Sequence, residues 1–592
     1  MKNYISLFIL LIFSTFSFAQ GNEYVLAENY FRNNEFEKAS QIYKKLVDKS
    51  PYNTTYLQRL ISCYQETDQF IVAEKLLQQK LNSQPNLSFL NVFLGYNYER
   101  QQQNDLAQKY YDKALKSIDE NSNNGGTIAN MFKNYNKLDL AIEAYKKASN
   151  YNENSNYGFQ IAQIYGEKGD FAYMFEEYIN FLDKNDNYLN TVKRYTARYV
   201  NDDSENENNI LFKKALLRKS ASNPKDVWNN LLAWLFTNQK EYNKALIQQK
   251  ALYIRDANNL AGIKEVGKIA FENKDYETAK NSFDFVIEKT NYPTDKFHAI
   301  YMNLLISVAT KQPNVEEEFQ KIFTNYGINT NTFSIQVAYA DYLTFDKNEP
   351  QKANIILEEA LQHANSKFQK GKVKLKIGDV LVYRNQFNKA LIYFSQVQTK
   401  FPNHELGQEA RFKVAQTSYF KNDFTWAKAQ LKILKGSATQ LIANDAANLF
   451  LTISDNEPKD SIPSGLAKYA KADLLAYQNK DDEAIVVLNE VIKEFKGQSI
   501  EDEALFKQAK LYIKQKKYEA AISNFDKIIT IDAKGILVDD VYYQMAELYK
   551  NELNNPEKAS EYYQKIIFEH PSSIYLVDAR KKFRKLRGDT IN

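Results

Sequence analysis

NVFLGYNYERQQQNDLAQKYYDKA, residues 91–114, decides the fold. It holds two runs of apolar and small residues at helical spacing: Leu94, Gly95 and Tyr98 share one face, and Ala107, Tyr111 and Ala114 share another. The polar residues between the runs predict a turn. Gly95 and Ala107 leave room for the two backbones to approach, and the tyrosines fill the space beside them. A single hairpin of this kind has no partner for its apolar faces, so it predicts copies of itself.

The copies are present. Steps of 34 residues from Ala107 reach Ala39, Ala73 and Ala141. From Tyr98 they reach Tyr30, Tyr64 and Phe132, and from Tyr111 they reach Tyr43, Leu77 and Tyr145. Pro51 and Pro85 are also 34 apart, each where a second helix should end. Three columns in one register predict an array in which each unit buries its neighbour's face.

A 34-residue helix–turn–helix unit with small residues and aromatics in these columns resembles the tetratricopeptide repeat. The first-helix tryptophan of that family is missing, its column holding Glu23, Leu57 and Asn91. The resemblance implies an all-α fold, a right-handed superhelical solenoid of helix–turn–helix repeats.

Composition fits a helical array. The 592 residues include only 18 Gly and 11 Pro but 42 Tyr, and the net charge of +4 gives no general attraction to nucleic acid. Residues 1–19 have a basic start at Lys2, an apolar stretch and the small-residue exit Ser17-Phe18-Ala19, the pattern of a secretory signal peptide. No second hydrophobic segment long enough to span a membrane follows, so no transmembrane span is expected in the mature chain. The single cysteine, Cys63, lies within a first helix away from the cleavage site. It offers no lipid acceptor there and reads as a small packed residue.

Along the chain, residues 20–184 read as an N-terminal array of five units, the fifth carrying Met174 in the small-residue column. Residues 185–367 form a central region with divergent repeats. It includes an acidic, amide-rich loop at 201–209 and a stretch of irregular length at 292–350. The period lengthens to 37 in residues 368–453, where Ala390 leads to Ala427, and again at Ala484 to Ala521. Residues 454–465, with Pro458 and Pro463, read as a linker. Residues 466–592 hold further repeats and a closing helix, with Leu576, Ala579, Phe583 and Leu586 on one side and basic residues elsewhere.

The phrases KFPN (400–403) and EHPSS (569–573), each followed by a helix with Ala-Arg, carry a second resemblance. They are similar to the repeats of bacterial envelope assembly factors, of the β-barrel assembly lipoprotein and Tol–Pal-associated types. That resemblance implies a periplasmic protein, or one peripherally associated with the outer membrane, with outer-membrane or secretion components as partners. The missing lipid-acceptor cysteine departs from the lipoprotein members.

The patterns of catalysis are missing from the sequence. His298, His363, His404 and His570 are far apart and form no metal-ligand pair. Phosphate-binding glycine loops and nucleophile elbows are also lacking. No catalytic, metal or cofactor site is therefore expected. The basic residues of the closing helix suit a capped helix C-terminus better than a lipid surface, though peripheral membrane contact fits them too.

Recognition of other proteins is the function the repeat resemblance implies. Its first helices line a groove, and the register places Asn230 and Trp234 there in one unit and Lys264, Lys268 and Phe271 in the next. An aromatic beside amide and ammonium groups suits an extended peptide or its carboxylate. In the first units the same positions give Tyr24, Glu28, Gln58 and Ser62, without the lysine–asparagine clamp by which some members hold chaperone termini. The expectation is an exported, non-enzymatic scaffold. The alternative is a soluble periplasmic receptor for a glycan or small molecule, which the short polar insertions disfavour.

Overall fold

A computed structural model describes residues 23–151, 156–257, 259–434, 440–457 and 464–588. The segment at 1–19 expected to be a signal peptide and the prolines of the 454–465 segment lie outside the described residues. Those residues form helices and turns, with no strand among them. The chain divides into two compact units, 1–240 and 241–592. The fold is an all-α solenoid.

The hairpin that decided the reading consists of helices Leu90–Arg100 and Asn104–Glu120. Its glycine is a steric requirement. A Cβ on Gly95 would lie 2.3 Å from the Tyr111 ring, far inside van der Waals contact. The same fit recurs in the C-terminal unit, where a Cβ on Gly378 would meet the Phe394 ring at 2.2 Å. Ala107 and Tyr111 are 3% and 4% exposed, so the columns read from sequence are the packed core. Met174, in the fifth unit, is fully buried in that column. Ala107→Leu should overpack its joint and cost about 1–3 kcal/mol. Amide exchange should rise in the adjoining hairpins and stay unchanged beyond residue 240, because the damage passes only between packed neighbours. A uniform rise through the chain would contradict this.

The turns between paired helices use one device. In the N-terminal unit Asn34, Asp68, Gln102 and Asn136 hold φ between 55° and 61°, followed by Gly169 at 81°. This left-handed residue lets the chain reverse after the first helix. The backbone closes behind it in a Schellman arrangement, Gln103 N–H donating to Tyr98 O at 2.9 Å. Asparagine dominates these positions because its short polar side chain tolerates the conformation. In the C-terminal unit the left-handed residues fall at Lys274, Lys311, Asn348, Asn385 and Asn422. Their even 37-residue steps correct the expectation of irregular repeats at 292–350. That stretch holds helices Pro293–Ala309, Val315–Tyr326 and Phe333–Phe345, the last forming a closely packed hairpin with Pro350–His363 just beyond it.

The loop expected to be solvent-exposed at 201–209 is stapled. Asn209 is fully buried at the start of helix Glu207–Ser222. Its amide donates to the carbonyls of Asn201 (3.0 Å) and Asp203, and the Asn201 N–H donates back to Asn209 Oδ1 at 3.2 Å. The run of polar residues thus closes on itself through one asparagine.

After helix Gln440–Asp455, which packs on helix Phe424–Leu434, the C-terminal unit departs from nearest-neighbour stacking. Helix Leu466–Tyr477 packs on helix Asp481–Glu494, and its end also reaches back to repeats about a hundred residues earlier. The closing helix Leu576–Arg587 turns Ala579 inward, fully buried, with Phe583 and Leu586 packed beside the same core.

Candidate functional site

First helices of the N-terminal unit line an open groove of about 990 Å³. Phe31, Phe93, Tyr96 and Tyr135 supply aromatic surface, and Gln58 and Ser62 present polar groups, two of the positions the family register predicted. Aromatic faces beside amide and hydroxyl groups suit an extended polypeptide, which offers apolar side chains and main-chain polar groups together.

The floor is braced by side chains. The Tyr135 ring stacks on Tyr96 with centroids 4.0 Å apart and meets Phe93 edge-on at 5.4 Å. Its hydroxyl donates to Gln65 Oε1 at 2.8 Å, and the Gln65 amide donates to Phe93 O at 3.0 Å. Burial pushes the Tyr135 phenol well above its ordinary range, so it stays a donor at neutral pH. Arg59 borders the groove and is already engaged. Its guanidinium makes two bonds to Glu28, at 2.7 and 3.2 Å, and lies 4.5 Å over the Phe31 ring. Glu28 is 8% exposed and also accepts from the Tyr43 hydroxyl at 2.6 Å, so it holds the groove wall and is not presented to a ligand.

The residues singled out at the next two units are placed as follows. In the N-terminal unit, Asn230 turns its amide onto Asp226 O of its own helix at 3.2 Å, and Trp234 is half-buried. In the C-terminal unit, Lys264 is committed to Asp295 at 2.8 Å. Lys268 is exposed and only loosely paired with Glu272 at 3.9 Å. Phe271 is half-buried, its ring edge-on to Tyr276 at 5.9 Å.

Sequence reasoning missed a charge ladder on the first helices of the C-terminal unit. Lys376 pairs with Asp341, Lys413 with Asp379, Lys507 with Asp473 and Lys582 with Glu547, each at 2.7 Å and each lysine one repeat after its acid. Burial pushes Asp341 upward despite Lys376, whereas Lys376, which burial alone would lower, is raised by Asp341 and Asp379, so the lysine keeps its charge and the acid bears the cost of burial. A search for acids followed by lysines at 34–35 residues would have found it.

Beside the ladder lie two cavities. One of about 490 Å³ is lined by Tyr301, Asp341, Phe345 and Lys376. The other, of about 630 Å³, is lined by Tyr419, Asp473, Tyr477, Lys507 and Lys510. Between them the end of helix Leu466–Tyr477 meets earlier repeats. The Tyr477 ring sits 5.6 Å from Phe345 and 5.8 Å from Phe420. The buried Gln478 amide donates to Tyr383 O at 2.8 Å and Asn385 Oδ1 at 2.9 Å, and the Asn479 amide donates to Phe345 O at 2.8 Å. Tyr419 reaches across from the earlier repeats to donate to Asp473 at 2.8 Å.

Other reactive groups have structural partners. Cys63 is buried and its thiol is pushed up to about 12 by that burial, which removes its nucleophilicity. His404 caps a helix, Nδ1 accepting from Leu406 N–H at 3.1 Å, and His570 ends helix Pro556–Glu569 beside the Tyr542 ring. The acidic run Glu316–Glu318 occupies the first turn of its helix, where the dipole favours it. Among the described residues no group of acids, histidines and cysteine is arranged to hold a metal ion, and no helix is long and apolar enough to cross a membrane.

Comparison with known proteins agrees with the repeat geometry. Family models described as tetratricopeptide repeat match residues 90–121, 372–404, 503–533 and 540–573. No curated protein matches the chain. Among solved structures, the chain is similar to the anaphase-promoting-complex hetero-tetramer Cut9–Hcn1, at 12% identity and a TM-score of 0.25, with 96% of each chain covered. It is also similar to Naa15/Naa10 bound to HypK, at 11% identity and a TM-score of 0.28, again over 96% of each. At these scores neither carries an argument, and the assignment rests on the hairpins and the four family matches. The chain therefore carries tetratricopeptide repeats, one of the four matched segments in its N-terminal unit and three in its C-terminal unit.

Proposed function

We propose that this chain is an exported, non-enzymatic scaffold that holds segments of other proteins in the inner faces of its first helices. The observation that carries the reading is the N-terminal groove. It encloses about 990 Å³, its aromatic floor is braced by hydrogen bonds and ring stacking, and Gln58 lines it beside Ser62, whose hydroxyl reaches the Tyr135 phenol. Preorganised aromatic surface lowers the ordering cost of binding. Trp234, and separately Lys268 and Phe271, are further contact positions in this reading. The apolar leader at 1–19 and the likeness of 368–587 to envelope assembly repeats support a place in a bacterial envelope, with assembly or secretion components as partners.

Photo-crosslinking in intact cells tests it. A photoreactive side chain at Gln58 or Ser62 should yield discrete protein adducts. One at Ile71, 80% exposed on the second helix of the same hairpin, should yield few. Equal labelling from all three positions, or none from the groove, would remove this groove as the binding surface. Recovery of the chain with its leader intact in the cytoplasm would remove the export half.

A further inference from the structure

The hydrogen bonds of Gln478 and Asn479 to earlier repeats span 93–134 residues of sequence, whereas the bracing bond Tyr135–Gln65 in the N-terminal unit spans 70. Their chemistry is specific. Phe345 and Tyr383 end their helices, so their carbonyls lack intrahelical donors. Gln478 and Asn479 supply those donors from a distant repeat, and Tyr477 wedges its ring between Phe345 and Phe420. Tyr477 walls one of the two inner cavities and Phe345 walls the other, so this contact borders both.

We propose that this turn is a releasable clasp seated in a polypeptide-docking site. A partner segment presenting an aromatic followed by carboxamides would take the same contacts, displace the turn and join the two cavities into one groove. The scaffold reading enters only in making the displacing ligand a protein. Two observations make the clasp separable. Its helix packs more extensively on its own hairpin partner, Asp481–Glu494, than on the earlier repeats, so the turn can lift at its end while the body of the helix keeps its place in the shared core. The bonds the turn itself gives up are those of two side-chain amides to Tyr383 O, Asn385 Oδ1 and Phe345 O, groups that water can satisfy once the turn lifts, while the Tyr419–Asp473 bond stays with the body of the helix. Asn479 is exposed and also accepts from Lys514 at 3.1 Å, which places the outer edge of the clasp within reach of a competitor.

The chain's own segment is the probe. A fluorescent peptide with the sequence of residues 466–482 is titrated into the full chain and into its Gln478→Glu variant, followed by anisotropy. Glutamate keeps the shape of glutamine but places a carboxylate against Tyr383 O and Asn385 Oδ1, which opens the clasp. A site occupied internally shows its ligand an affinity reduced by the unoccupied fraction, so the variant should bind the peptide on the order of tenfold more tightly than the parent chain. Asn479→Ala, at an exposed side chain, should shift affinity the same way by less. Phe345→Ala added to Gln478→Glu should abolish binding while circular dichroism stays helical. Equal affinity for parent and variant, or binding to neither, would overturn the clasp. Because no external partner is used, that failure is separate from failure of the Gln58 crosslink.

Discussion

Replacing Trp228 by alanine should destabilise the N-terminal unit by about 3–5 kcal/mol, the range for deleting a fully buried large aromatic. Trp228 has no exposed surface, and its indole N–H donates to Asn223 O at 2.8 Å. Asn223 ends helix Glu207–Ser222, so the tryptophan both fills the joint between two helices and caps the first of them. Alanine would leave a cavity and an unpaired carbonyl together. Trp234, six residues on in the same helix, is half-buried, and Trp234→Ala should cost about 1 kcal/mol, the centre of the range for single substitutions. Urea unfolding followed by circular dichroism checks the pair. Equal losses would show that the inner and outer faces of helix Asp226–Asn238 are misassigned.

The two tryptophans show what the sequence makes legible. Helical period places them on different faces, and the family register singles out Trp234 for the groove, while the burial of Trp228 came from the structure. Wherever a residue's role follows from local period, as at Gly95, Ala107 and Tyr111, the reading holds, because a repeat imposes the same neighbours at the same spacing. Left-handed turn residues were illegible for a different reason. A positive φ has only a weak residue preference, and lysine fills the position at Lys240, Lys274, Lys311 and Lys516. Without that marker the even 37-residue steps from Lys274 looked irregular. The buried Asn209 was hidden by composition, since a polar run reads as exposed until one member is seen to satisfy the others. The clasp at Gln478 lies outside any periodic rule, because its partners come from a fold-back and not from the next repeat. The groove residues fall between these cases: Gln58 and Ser62 were reachable by register, whereas Tyr135 enters the groove from the end of a helix and required coordinates.

Glu503 gives the C-terminal unit a pH dependence opposite in sign to that of a paired carboxylate. It is half-buried on helix Ser499–Lys514, and its carboxyl is pushed up from 4.5 to about 7. Burial is the largest cause, followed by Asp473 on helix Leu466–Tyr477 and Asp455 at the end of helix Gln440–Asp455, while Lys510 opposes them. A folded value above the unfolded one means that the folded chain holds the proton more tightly. Below about pH 4.5 both states are protonated and the group costs nothing. As pH rises toward 7 the unfolded state gains charge freely and the folded state does not, so stability falls, by up to about 3 kcal/mol at full ionisation. Asp502, pushed up to about 6 mainly by burial, adds to the same slope at lower pH. Glu503→Gln should therefore be as stable as the parent near pH 4.5 and more stable at pH 8, read by amide exchange within 499–514. Parallel pH profiles for the two chains would show that the carboxylate ionises in the fold without penalty. A difference confined to pH 8 would instead assign the strain to this one charge, facing Asp473, whose other bonds to Lys507 and Tyr419 help seat helix Leu466–Tyr477 against the earlier repeats.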